Sequence, residues 1–167
     1  MNLKNSVKAG FSFKNLFLLV FSVLICLSAG FIGSVFTAPS IPTWYASLNK
    51  PFFSPPNWLF APVWTLLYVL MGISLFLVLS RGIRKNEFPL SVFSVQLFLN
   101  ALWSFLFFGL RSPPFAFLEI IVLWLAIAAT IFLFHRISKT AALLLLPYIA
   151  WVSFAAFLNF YVMLLNP

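Results

Sequence analysis

Five uncharged stretches, each long enough to cross a bilayer as a helix, constrain this chain more than any other feature. They run over about 16–36, 58–80, 88–110, 114–134 and 141–165, and the one charge inside them is Glu119. A hydrocarbon core about 30 Å thick asks for about 20 apolar residues per helical crossing. Of the 167 residues, 63% are hydrophobic and only 7% charged, against about 25% charged in soluble domains. A soluble fold could not cover so much apolar surface, whereas a bilayer solvates it. The expectation is an all-α membrane protein, a single-domain bundle of five transmembrane helices over 1–167 with a long structured first loop at 37–57. A β-barrel is disfavoured because its strands alternate apolar and polar residues, while 73–79 is almost wholly apolar. The first stretch is too long for a signal-peptide core and is followed by no obvious cleavage site, so it is expected to stay as a helix.

Charge then sets direction. The formal net charge is +8, yet the basic residues sit in small clusters without a continuous basic face, which argues against nucleic acid. Lys4, Lys8, Lys14, Arg81, Arg84, Lys85, Arg136 and Lys139 fall on one side of the five crossings, and only Lys50 and Arg111 on the other. Basic loops stay cytoplasmic, which predicts a cytoplasmic N-terminus and an external C-terminus. That orientation without a mitochondrial presequence points to a bacterial plasma membrane, although outer mitochondrial membrane proteins also lack such presequences.

The first loop carries Pro39, Pro42, Pro51, Pro55 and Pro56. Proline fixes φ and cannot donate a hydrogen bond, so the segment reads as a stiff, non-helical lid rather than a sixth helix. Its Trp44, Tyr45, Phe52, Phe53 and, at its edge, Trp58 suit either an interfacial aromatic belt or a lid over an outward-facing pocket.

Polar groups inside a span are costly in lipid and turn inward. Gln96, Asn100, Trp103 and Ser104 share one face of the third span, serving either interhelical hydrogen bonds or a ligand. Trp64 and Tyr68 lie one turn apart on the second span; Tyr148, Trp151, Ala155 and Asn159 share a face of the fifth. Large rings with polar edges beside a small residue describe either helix packing or a slot for a planar molecule. Pro147 should kink the fifth span, since it lacks an amide donor and crowds the carbonyl of Leu143. Glu119 reads as an interfacial or bundle-facing acid, with a ligand or proton site as the alternative, and His135 reads as a loop residue.

Two acidic residues, one histidine and the lone Cys26 leave little material for a metal centre, and no complete hydrolytic triad, paired-carboxylate site or phosphate loop is apparent. Cys26 cannot form an intrachain disulfide. No cofactor is expected to be required.

The residues resemble the translocator protein, or tryptophan-rich sensory protein, family (TspO/MBR, formerly peripheral-type benzodiazepine receptors) over nearly the whole chain. The marks are Trp44-Tyr45 with Leu48, Lys50-Pro51, Pro55-Pro56, Pro62-Val63-Trp64 leading to Tyr68, Gln96-Leu97 with Asn100 and Trp103, and Pro147-Tyr148 with Trp151 and Leu158-Asn159. The resemblance implies a five-helix receptor, often a homodimer, whose pocket beneath the first loop binds hydrophobic small molecules: porphyrins, benzodiazepine-type or isoquinoline carboxamide-type ligands and, in animal members, cholesterol. It implies ligand-binding roles for Trp44, Trp64, Tyr68, Asn100, Trp103, Tyr148, Trp151 and Ala155. The alternatives are tryptophan-dependent breakdown of protoporphyrin IX, with Trp64 and Trp151 as the catalytic pair and porphyrin as substrate, and transport of porphyrin or another hydrophobic ligand. Phe53 and Ala101 stand where relatives carry tryptophan, which implies altered stacking. No basic residue follows Tyr161 to complete the proposed cholesterol motif, itself a weak pattern, and this favours a tetrapyrrole over a sterol. Small residues at Gly30 with Ser34 and Ala29 with Gly33 could support close helix contact without identifying a dimer face.

Overall fold

A computed structural model describes residues 13–83 and 86–167. Lys4, Lys8, Arg84 and Lys85, which contribute to the charge asymmetry, lie outside the described residues. The molecule is all-helical across those residues: α1 (Phe13–Ser40), the single turn α2 (Trp44–Ser47), α3 (Phe60–Leu79), α4 (Glu87–Ser104), α5 (Pro113–Ile137), the short α6 (Lys139–Leu143) and α7 (Leu146–Leu165). A 3-10 turn, Asn57–Leu59, leads into α3, and a π-helical turn, Phe105–Gly109, continues α4. Five of the resulting helical segments are long and apolar enough to cross a membrane, and the chain is an integral membrane protein.

Proline fixes several helix starts. Pro113 and Pro114 open α5, Pro147 lies in the first turn of α7, and Pro62 and Pro89 lie in the first turns of α3 and α4. At such positions the missing amide would have no intrahelical acceptor in any case. Pro147 does more than bend the fifth span. The span divides at Leu144–Leu145, because no amide at 147 can reach the Leu143 carbonyl and the chain tightens there through a Leu145 N–H to Ala142 O bond of 3.1 Å.

The lid departs from the expected non-helical form. α1 continues through Pro39 to Ser40, and the lid itself holds one helical turn, α2. That turn survives because Lys50 Nζ donates to the Tyr45 carbonyl at 2.7 Å and to the Leu48 carbonyl at 3.3 Å, satisfying carbonyls that such a short helix leaves bare. His135 is an exposed residue in the last turn of α5 and not in a loop. The Arg136 cation beside it is favoured at that end by the helix dipole.

The helices form a ring. α1 packs on α3 and α4, α4 on α5, and α5 on α7, while α6 bridges back to α3, where Ser74 Oγ donates to the Ala141 carbonyl at 2.8 Å. Glycine sets the tightest seam. A Cβ on Gly72 would collide with the backbone of Val23, and one on Gly30 with the Tyr68 ring, so α1 and α3 approach as only small residues permit. By contrast, α3 meets α7 through rings, Phe60 on Trp151 and Trp64 on Tyr148, each pair with centroids 6.3 Å apart. Remote from the lid the core is solid: Met71, Val78, Phe93 and Phe134 are fully or almost fully buried, with Phe93 stacked on Phe134 at 5.5 Å.

If the Gly72 approach holds the α1–α3 seam, Gly72→Val should destabilise the bundle by about 1–3 kcal/mol through overpacking. The lipid-facing substitution Leu66→Val provides the reference, and thermal unfolding in detergent is the measurement; equal midpoints would refute the close packing.

Candidate ligand cavity

Between the solid core and the lid lies a cavity of about 390 Å³, within the usual range for small-molecule sites of about 300–1,000 Å³. One wall is α3, with Phe60, Trp64 and Tyr68; another is the end of α4 with the π turn that continues it, Trp103, Phe107 and Phe108; α7 supplies Trp151, Ala155 and Asn159. The wall made by α1 is mostly small residues, Gly30, Gly33, Ser34, Thr37 and Ala38, with Leu27 and Phe31 beside them. Thus α3, α4 and α7 give rings and α1 gives room.

The π turn shapes the roof. Its wider winding, marked by a Leu110 N–H to Phe105 O bond of 2.8 Å, turns Phe107 and Phe108 inward together. Ser40 Oγ donates to the Phe108 carbonyl at 3.1 Å, tying the end of α1 to this turn. Above, Tyr45 is 3% exposed and packs on Phe60, Phe107 and Phe108. Burial pushes the Tyr45 phenol above its ordinary pKa, so the ring beneath the Lys50 ammonium, 4.8 Å away, stays neutral.

Of the residues the sequence singles out, Trp64, Tyr68, Trp103, Trp151 and Ala155 border the cavity. Asn100 and Tyr148 sit one layer behind. The Tyr68 hydroxyl donates to Asn100 Oδ1, and Asn100 Nδ2 donates to the Tyr148 hydroxyl at 3.0 Å. Both donors and acceptors are buried, and the string joins α3, α4 and α7. Trp44 is also out of the wall, held edge-on to Phe107 at 5.5 Å in the roof. The lid aromatics therefore divide: Phe52 and Trp58 face outward at 100% and 71% exposure, as an interfacial belt would, while Trp44, Tyr45 and Phe53 turn toward the protein.

A second string reaches the wall itself. Trp103 Nε1 donates to Asn159 Oδ1 at 3.2 Å, and Asn159 Nδ2 donates to the Pro113 carbonyl at 2.9 Å, which ties α4, α7 and the first turn of α5 together. Trp124 Nε1 likewise finds Ser153 Oγ at 2.8 Å. Trp151 differs. Its buried indole N–H has no acceptor among the described residues, and an unpaired buried donor is expensive. Gln96 and Glu119 are also buried without partners among the described residues, but neither borders the cavity.

Sequence reasoning missed the α1 wall, the π-turn phenylalanines and the part played by Tyr45. The small residues of α1 recur at helical spacing, which was the available signal; that spacing also fits helix packing, and the structure uses Gly30 for both.

The TspO/MBR family profile matches residues 22–165. The chain belongs to the TspO/MBR family. It is 51% identical over 152 residues to the Tryptophan-rich protein TspO of Archaeoglobus fulgidus, covering 91% of this chain and 99% of that protein. With the Tryptophan-rich protein TspO of Chlorobaculum tepidum it shares 46% identity over 156 residues, 92% of this chain and 99% of the relative. The human Translocator protein is 39% identical over 133 residues, 78% of this chain and 79% of that one. Among the described residues there is no group of three or more histidine, cysteine or acidic side chains that could hold a metal. The residues that line this TspO/MBR cavity offer stacking surfaces, shape and a few hydrogen-bonding groups.

Asn100 should behave as a structural tie between helices. Asn100→Leu leaves the Tyr68 and Tyr148 hydroxyls without their partner and should cost about 1–3 kcal/mol, read by denaturant or thermal unfolding in detergent; stability equal to the parent would contradict the buried string.

Proposed function

We propose that this protein is a membrane receptor or sensor that binds a planar hydrophobic ligand, a porphyrin such as protoporphyrin IX or a benzodiazepine- or isoquinoline-type molecule, in the cavity beneath its lid. The observation that carries the reading is the pairing of an aromatic-walled space with one orphaned donor, the Trp151 N–H. Stacking on Trp64 and Trp103 would hold the face of a flat ligand. An acceptor on the ligand would relieve the Trp151 donor once the indole turns its buried N–H into the space, fixing orientation where shape alone is permissive. Ala155 keeps the α7 wall low between Trp151 and Asn159, leaving depth for the ring system. Tyr68 presents its ring to the cavity while its hydroxyl is committed to Asn100. Asn100 and Tyr148 support the ligand by fixing Tyr68, and Trp44 supports it by holding Phe107 in the roof. The excess of basic residues on one side of the crossings supports a lid on the outer face of a plasma membrane with the N-terminus inside, and a homodimer is part of the proposal through the family resemblance.

Protoporphyrin IX should quench tryptophan fluorescence saturably. Trp151→Phe keeps a ring but loses the donor and should weaken binding about tenfold, the worth of one hydrogen bond. Trp64→Phe combined with Trp151→Phe should weaken it further; unchanged affinity in the double variant would sink the site.

A second reading, light-dependent breakdown of the bound porphyrin, is favoured by the three indoles that border one cavity, Trp64, Trp103 and Trp151. Illumination in air should then abolish the Soret band faster with protein than without, and the tryptophan variants should lose that difference. Equal bleaching rates would leave the protein a receptor.

A further inference from the structure

The cavity is not equally closed on all sides. Its residues from α4 and α7 are buried or half-buried, whereas Phe31, Ser34 and Ala38 of α1 and Ala61 and Thr65 of α3 are exposed and border the same space. These belong to segments long and apolar enough to cross a membrane, which sets this side of the cavity toward the bilayer and not toward the lid. The reason lies in the α1–α3 seam. Gly72 against Val23 and Gly30 against Tyr68 press the helices together toward the solid core. Beyond Gly30 the exposed residues that border the space are, apart from Phe31, small, and Ser34 and Thr65 spend their hydroxyls on carbonyls of their own helices, Phe31 at 2.7 Å and Ala61 at 2.8 Å. Neither ring nor polar bond crosses the seam between these small residues. A slot therefore opens sideways.

The water-facing side is fastened instead. Asn166, just beyond α7, accepts from the Asn49 amide at 3.0 Å and donates to the Asn49 carbonyl at 3.0 Å, a reciprocal pair that holds the lid to the last helix. A further Asn166 Nδ2 bond of 2.8 Å to the Val162 carbonyl fixes the clamping side chain itself. Next to it Phe53 of the lid stacks on Phe157 at 5.3 Å and meets Tyr161 at 5.4 Å. Opening the lid would break this clamp and expose those rings; passage between α1 and α3 would break no hydrogen bond among the described residues.

We infer that ligand reaches and leaves the cavity laterally from the bilayer, through the slot between α1 and α3, while the lid stays latched. The route rests on the cavity being a ligand site, as proposed above. It also selects the ligand class: molecules that dissolve in the membrane before they bind. A water-soluble analogue of the same shape would have to pass the clamp.

The test compares two locks. Ser34→Cys with Thr65→Cys, joined by a short bifunctional thiol reagent, closes the slot, and Asn49→Cys with Asn166→Cys, joined in the same way, closes the lid. Cys26 is fully buried and stays in place. Each unjoined protein is its own folding control. Protoporphyrin IX is supplied from phosphatidylcholine donor vesicles to protein in acceptor vesicles, and binding and release are followed by tryptophan quenching. Joining the slot should slow binding and release together by at least about tenfold, because the route is blocked for both, as Ser34→Trp should do in part. Joining the lid should change neither rate by more than about twofold. Slowing by the lid bridge equal to or greater than that by the slot bridge overturns the lateral route. Absence of saturable quenching in the unjoined proteins overturns the binding reading on which the route rests.

Discussion

Every backbone amide and carbonyl inside the bilayer must find its partner within the protein, and this requirement governs the rest of the structure. The long helices meet it by themselves. Besides the 3-10 turn by which α3 begins, two places deeper in the spans do not follow the regular α pattern, and both are covered: the π turn at Phe105–Gly109, where Ser40 takes the Phe108 carbonyl, and the break at Leu144–Leu145, where Leu145 is 1% exposed. Irregular backbone at membrane depth persists only where other protein covers it or where it lines a cavity. Here the first irregularity turns Phe107 and Phe108 into the roof, and the second separates α6, which serves the α3 contact, from α7, which serves the cavity.

Polar side chains follow the same economy. Lipid offers Asn100 or Asn159 nothing, so each joins helices, Asn100 through Tyr68 and Tyr148 and Asn159 through Trp103 and the start of α5. Such bonds average about 0.6 kcal/mol each inside membranes. Their importance is geometric: they fix the orientation of the rings that face the cavity, so that the space is shaped before a ligand arrives. Preorganisation of this kind lowers the ordering cost of binding. Aromatic contacts then close the ring of helices between α3 and α7, where backbones do not meet closely.

The two halves of the bundle consequently differ. Toward the solid core, glycine brings α1 and α3 together and leucine, methionine and phenylalanine fill the interior. Toward the lid the same two helices present small residues to each other, and the interior holds rings around a space. Packing rules alone explain both halves, since small residues draw helices together only when the partner can fill the gap. Tyr68 fills it at Gly30; no such side chain follows at Ser34 and Ala38.

The sequence by itself determined the membrane habitat, the five crossings and the inward-facing rings of the second, third and fifth spans, because apolar length and the inward bias of polar and aromatic residues are local properties that a bilayer enforces one helix at a time. Trp64, Tyr68, Trp103, Trp151 and Ala155 were legible in this way. Proline punctuation was legible too, although whether Pro147 bends or divides its span depends on neighbours that its own sequence does not name. Tertiary structure alone decided that Asn100 and Tyr148 stand behind the wall, that α1 supplies the open side, and that Asn166 clasps Asn49 across the fold. Those outcomes depend on which helix lies beside which and at what depth. A periodic stripe shows that a face turns inward; only the assembled ring shows what that face meets.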